Sequence, residues 1–257
     1  MSRTAPVDGN GIAFKDHFSG HAGSYAAARP VYPESLFAYL ASLCSKHDLA
    51  WDCATGNGQA ARSLAPHFEK IVASDASREQ ISAAEPHPKI EFRVATAEKS
   101  GLPNDTVDLI TVAQALHWFD TERFFTEAAR VLKLDGILAI WSYERTSLPA
   151  ELGNIIEKAY TETAAYWPAE RRFVENHYRD FTFPMSEIAA KSFEMQLDWT
   201  VDQMLAYMRT WSGTQRYMRA TGRDPIALVE QEFREAWGTG ARDVRWPLTL
   251  RICQKAT

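Results

Sequence analysis

The sequence predicts an α/β protein built on a doubly wound, mostly parallel seven-stranded sheet, with a helical insertion after strand five and an antiparallel C-terminal strand. Three observations carry this prediction. Short apolar runs bounded by turn residues recur at 49–53, 70–74 (KIVAS), 90–95 (IEFRVA), 107–113 (VDLITVA) and 136–142 (GILAIWS), the form of strands buried on both faces. Helical patterns fill the gaps between them, giving the βαβ alternation of a parallel sheet. Two later runs, SFEMQLDWT and DVRWPLTLRICQK, alternate apolar with polar, as antiparallel strands with one less buried face do.

Each element has its own local reason. Pro33 and Ser35 open a helix with Leu36, Phe37, Leu40 and Leu43 at helical spacing. In DTERFFTEAARVLKLDG, Asp120 or Thr121 caps a helix whose Phe124, Ala128, Val131 and Leu132 share a face, and Gly136 follows its end. From Leu148 the residues Leu152, Ile155, Ile156, Ala159, Tyr160 and Thr163 keep one-face spacing, so 146–190 reads as the helical insertion. Thr200-x-x-Gln203 is a capping box, and Asp224-Pro225 starts another helix that stops before Gly238, so 200–238 is helical between the last two strands. Pro247 cannot donate to a ladder and favours an edge strand. No repeat or low-complexity tract breaks the chain, and 1–257 reads as a single domain.

Composition excludes several classes. A chain of 257 residues buries roughly three quarters of its unfolded surface, and 46% hydrophobic with 24% charged residues is an ordinary globular balance. A net charge of −5 with no basic cluster argues against gripping nucleic acid by its phosphates. Cys44, Cys53 and Cys253 are far apart, odd in number and lack CxxC spacing, so neither a disulfide framework nor a zinc site is expected. The opening MSRTAPVDGNG lacks a signal-peptide core and no apolar run is long enough to cross a bilayer. The expectation is a cytoplasmic protein with no membrane partner.

The stretch WDCATGNGQAA at 51–61 carries the chemistry. Gly56-Asn57-Gly58-Gln59-Ala60-Ala61 fits the GxGxxA dinucleotide spacing, which points to a nicotinamide or flavin enzyme. Charge points elsewhere. A dinucleotide brings a pyrophosphate to this loop, and Asp52 would repel it. S-adenosylmethionine has no phosphate and carries a sulfonium and an ammonium, so an acid nearby attracts it while the backbone still needs close glycine approach. Asp75 ends the second strand, nineteen residues past Gly56, the place for a carboxylate that accepts from both ribose hydroxyls. Its alternative is to cap the helix that follows, and the alternative for the glycines is a plain strand-to-helix turn.

DCATGNG, SDAS, ATAEKSGLP, AQALHWFD and DGILAIWSY resemble the class I S-adenosylmethionine-dependent methyltransferases. More narrowly, YAAARPVYP, HWFD, AIWSY and YMRTWS resemble the trans-aconitate methyltransferase-like branch. The resemblance implies a Rossmann-like fold and S-adenosylmethionine as cofactor, with Asp52, Ala54, Gly56 and Gly58 around its methionine part and Asp75 on the ribose. It places Ala76 and Gln80 beside the adenine, Ala97 and Glu98 at its edge, and Ala113 and Gln114 beneath the sulfonium. Arg29 would meet the methionine carboxylate. Phe18 and Tyr25 would lie in a lid formed by 14–33, and the insertion would complete a substrate pocket. Two residues depart from the pattern: Ala54 stands where a glycine is usual, and Thr96 where an acid often meets the adenine amine.

Methyl transfer is an in-line displacement on carbon already activated by positive sulfur, so alignment and exclusion of water matter more than acid–base machinery. A carboxylate acceptor needs no base. An amine or hydroxyl would need one, and His117 is the candidate, its alternative being a hydrogen-bonded pocket wall. Trp118 and Trp211 either close over the acceptor or belong to the core. Arg209 either pairs bidentately with an acceptor carboxylate or lies on a solvated helix face. Tyr143 ends the fifth strand, where an acceptor would lie. His17 and His21 are four apart, but Gly20 and Gly23 make a poor helix there, so no metal is expected. The leading expectation is methyl transfer to a small molecule, plausibly a carboxylate giving a methyl ester. A nicotinamide-dependent oxidoreductase and a cofactor-binding protein without catalysis stay open, the latter on Ala54 alone.

Overall fold

A computed structural model of the chain describes residues 30–143 and 145–256. Helix α1 (Glu34–Ser42) leads into strand β1 (Leu49–Cys53), α2 (Gln59–Leu64), β2 (Lys70–Asp75), α3 (Arg78–Ser82), β3 (Ile90–Val94), β4 (Val107–Ala113), α4 (Thr121–Val131) and β5 (Leu132–Tyr143). A helical layer follows: α5 (Ala150–Glu162), α6 (Arg171–Glu175), then the short β6 (Ser186–Ile188), β7 (Phe193–Trp199), α7 (Val201–Arg209), α8 (Ser212–Thr221), α9 (Glu230–Trp237) and β8 (Arg242–Gln254).

Among the described residues the sheet has eight strands in the order β3-β2-β1-β4-β5-β8-β6, with β7 also paired to β8. Pairs among β1 to β5 are parallel, and β8 runs antiparallel to β5. The mostly parallel sheet with an antiparallel C-terminal strand is therefore as the sequence predicts. The strand beyond the expected seven is β6, three residues inside the stretch read as wholly helical; its neighbours in 146–190 include α5 and α6. Three residues are too few to show a period of two. Opposite β8, Ile188 faces Ile252 and Phe193 faces Leu248. β6 and β7 thus border β8 one after the other, with residues 189–192 outside the ladder between them.

Pro247 corrects the expectation of an edge strand. β8 lies inside the sheet, paired to β5 over Leu248–Gln254 and to β7 over Arg242–Leu248. Pro247 falls in the overhang beyond the last β5 partner, Tyr143 opposite Leu248, where the β5 side asks for no donor. The fifth strand also begins earlier than expected, at Leu132 directly from α4.

Caps set the helix starts. Asp120 accepts from Arg123 N at the head of α4, and Thr200 with Gln203 forms a reciprocal capping box on α7. Two apolar cores cover the two faces of the sheet. One joins Leu36, Leu64, Trp141, Leu152, Trp246 and Phe233, and the other joins Trp51, Phe124, Val131, Leu138 and Tyr178. The helical layer therefore continues the core on the α1 and α2 side. No helix among the described residues is long and apolar enough to cross a membrane.

Candidate active site

Strand order reverses at β1, whose neighbours are β2 and β4. In such sheets the crevice outside the carboxyl ends at the reversal is where ligands bind. The loops leaving β1 and β4 meet there, and both are held in left-handed backbone: Ala54 (φ 55°), Gly56 (58°), Gly58 (92°) and Gln114 (57°). Clusters of this conformation mark functional sites.

The two loop glycines have different reasons. A Cβ on Gly58 would lie 2.7 Å from the Phe92 ring, so this glycine lets α2 approach the sheet. A Cβ on Gly56 would meet nothing nearer than Gln80 Oε1 at 3.8 Å. Gly56 thus leaves loop backbone accessible to a ligand. Ala54 adopts the conformation a glycine would take, so the turn survives the departure.

Asp52 is 1% exposed, and its carboxylate turns into the protein. It accepts from Thr55 Oγ1 and from Thr111 Oγ1 at 2.7 Å. Burial pushes its carboxyl up to about 6 against the pull of these hydrogen bonds. Asp52 thus supports the loop from beneath, at the end of β1 where the methionine part is expected.

Asp75 is half-buried at the end of β2. Its Oδ2 accepts from Gly56 N at 2.9 Å and its Oδ1 from Ser77 N at 2.8 Å. Ser77, not Asp75, caps α3 by accepting from Gln80 N. A carboxylate oxygen can accept more than one hydrogen bond, so a carboxylate at this place suits a ribose diol. Gln80 is buried beside Gly56, and Ala76 is half-buried next to Asp75. Ala97 is buried against the second core, while Glu98 accepts from Asp120 N at 3.1 Å, joining the loop after β3 to the start of α4. Ala113 is half-buried, and Gln114 donates its amide to Trp141 O at 2.8 Å and its Nε2 to Tyr143 O at 2.9 Å.

On the other side of the crevice, His117 and Trp118 lie in the single helical turn Leu116–Trp118, their rings 4.6 Å apart. His117 Nδ1 is 2.9 Å from the hydroxyl of Tyr178, a fully buried residue that the sequence does not single out. Tyr143 is buried, its ring 6.5 Å from that of Tyr32. Trp211 is 7% exposed and stacked on Tyr160 at 4.7 Å, so it stands in the core of the helical layer. Arg209 is a correction. Its Nε donates to Asp224 at 2.7 Å and a second nitrogen to Glu230 at 2.5 Å, so the charge expected to meet an acceptor carboxylate is met by the chain's own acids. Phe18, Tyr25, Arg29, His17, His21 and most of the 14–33 lid lie outside the described residues. Among the described residues no cluster of three metal-ligating side chains occurs.

An order-reversing parallel sheet, a glycine loop at the reversal and a carboxylate at the end of the second strand define a Rossmann-like protein that takes an adenosine-bearing cofactor. Comparison with known proteins narrows this. Residues 51–140 match the family model described as a methyltransferase domain. A protein of Dictyostelium discoideum named as a methyltransferase is 33% identical over 252 residues, covering 94% of this chain and 96% of its own length. The solved structure of a protein from Anaeromyxobacter dehalogenans titled as a type II methyltransferase superposes with a TM-score of 0.83 at 37% identity, over 89% of this chain and 99% of that one. A Saccharomyces cerevisiae protein named as an S-adenosylmethionine-dependent methyltransferase is 31% identical over 129 residues, 46% of this chain and 44% of its own.

The chain belongs to the class I S-adenosylmethionine-dependent methyltransferases, and its cofactor is S-adenosylmethionine. The accessible backbone at Gly56 and the acceptor set at Asp75 fit that cofactor. The nicotinamide alternative, which rested on glycine spacing alone, falls away.

Proposed function

We propose that the protein transfers the methyl group of S-adenosylmethionine to a small carboxylic acid in the cytosol, releasing a methyl ester. The observation that carries the reading is the position of His117, three residues past Gln114 beside the switch-point loops, with one ring nitrogen held by a buried tyrosine. A ring held at one nitrogen orients an acceptor well. The RPVYP, HWFD and RTWS runs, which resemble the trans-aconitate branch, support an acid as the acceptor. On this reading Asp75 takes the ribose hydroxyls, the 54–58 loop and Gln114 border the methionine end, and His117 with Trp118 walls the acceptor. The helical insertion closes the acceptor side and excludes water. Bound S-adenosylmethionine supplies the activated methyl; the chain supplies alignment and desolvation.

Calorimetric titration with S-adenosylmethionine and its demethylated product, followed by incubation of small carboxylic acids with methyl-labelled donor, tests the reading. The expected result is donor binding and base-labile label in at least one acid. Label passing only to amines or phenols overturns the carboxylate assignment.

A further inference from the structure

His117 serves two opposite chemistries according to which ring nitrogen carries its proton, and the residues behind it decide between them. Tyr178 follows α6, which packs against the Leu116–Trp118 turn. His177 and Tyr178 both sit at positive φ, 54° and 56°, a conformation that costs a side-chain-bearing residue and persists only where surrounding contacts enforce it. Those contacts are present: His177 Nδ1 lies 2.8 Å from Thr249 Oγ1, and Arg251 donates to Tyr178 O at 2.9 Å, both from β8. The strained turn drives the phenol into the second core, where it is fully buried.

A buried phenol has one proton to donate and must place it. Among the described residues one group lies within hydrogen-bond distance of its oxygen, His117 Nδ1 at 2.9 Å. If Nδ1 donated to Tyr178, the phenol proton would be left buried without an acceptor. If Tyr178 donates to Nδ1, that proton is placed. We infer that Tyr178 holds His117 as the Nε2–H tautomer, so that His117 meets the acceptor as a hydrogen-bond donor and not as a base. Tyr178 is then a positioning residue. A donor at this place suits an acceptor that arrives as an anion, so the inference deepens the carboxylate reading and rests on it for the identity of the acceptor.

The test separates the two. Ring 15N NMR of histidine-labelled protein, with the His117 signals identified by their loss in His117→Gln, reports the tautomer without any acceptor. The expected spectrum at neutral pH shows protonated Nε2 and bare Nδ1 for His117, and Tyr178→Phe abolishes that preference. A protonated Nδ1, or a spectrum unchanged in Tyr178→Phe, overturns the inference even where esters form. In turnover of an acid found by the labelled-donor screen, His117→Ala lowers kcat/KM by roughly 10- to 100-fold, the scale of a hydrogen bond to a charged group. His117→Gln, which keeps an N–H donor, recovers most of it, and Tyr178→Phe adds nothing in the His117→Ala background. An inactive His117→Gln, with donor affinity intact, points to a base and overturns the inference. Should the NMR result hold while no acid is methylated, the acceptor assignment fails and the tautomer stands.

Discussion

Ala54 holds a backbone conformation that costs an L-residue about 1–2 kcal/mol. Glycine has no such cost but loses more freedom on folding. Ala54→Gly is therefore expected to raise stability by roughly 0.5–1 kcal/mol, seen as a higher urea midpoint with an unchanged slope. A lower midpoint would show that the alanine methyl packs usefully. Asp52 gives a pH dependence. Its folded-state value of about 6 lies above the ordinary 3.8, so between them the native state binds more protons than the unfolded chain and stability falls as pH rises. Relative to Asp52→Asn, the wild type should lose on the order of 3 kcal/mol between pH 4 and pH 7, measured by urea titration at each pH; a constant difference between the two proteins refutes this. Asp75 joins loop geometry to binding. Asp75→Ala is expected to weaken donor affinity by about 1.5–3 kcal/mol in calorimetry, and unchanged affinity would confine Asp75 to tying Gly56 to Ser77.

At the scale of elements, Arg209 links the end of α7 to Asp224 and to Glu230 on α9. Its side chain is 32% exposed, so screening limits the pair to about 1 kcal/mol. Arg209→Met should lower the melting temperature by a few degrees and leave the acceptor KM unchanged, whereas a raised KM with intact stability would restore Arg209 to the acceptor site. β1, β2, β4 and β5 were legible because burial on both faces writes itself as apolar runs, whereas the edge strand β3 is buried only at Ile90 and reads from its place in the βαβ alternation; the loop at 54–58 was legible because its glycines and flanking acids sit at fixed offsets. What escaped reading depended on partners distant in sequence. Pro247 suggests a border because a proline shows its missing donor but not the length of the neighbouring strand. Tyr178 escaped because nothing in ENHYRD announces two left-handed residues; Thr249 and Arg251, more than seventy positions away, hold them. Arg209 looked available because its acids lie fifteen and twenty-one residues on.

Across the whole molecule, one sheet separates two cores, and the helical layer adds to one of them without forming a core of its own. Residues 30–256 should then unfold as one unit. Leu64→Ala on one face and Leu138→Ala on the other, both fully buried, are each expected to cost about 2–4 kcal/mol and to move the same calorimetric transition. Two resolved transitions, with each variant moving a different one, would mean that the layers are independent. The antiparallel return of β8 also governs how the molecule comes into being. Among the described residues β6 and β7 find their pairing only on β8, and β5 lacks its second neighbour until Arg242–Gln254 has been synthesised. A nascent chain on the ribosome therefore carries the apolar flank of β5 unzipped for about a hundred residues of elongation, and long-range pairings of this sort form slowly and tempt aggregation. Chains released early would keep the donor-side loops but present a sticky seam, making them natural clients for chaperones and proteases.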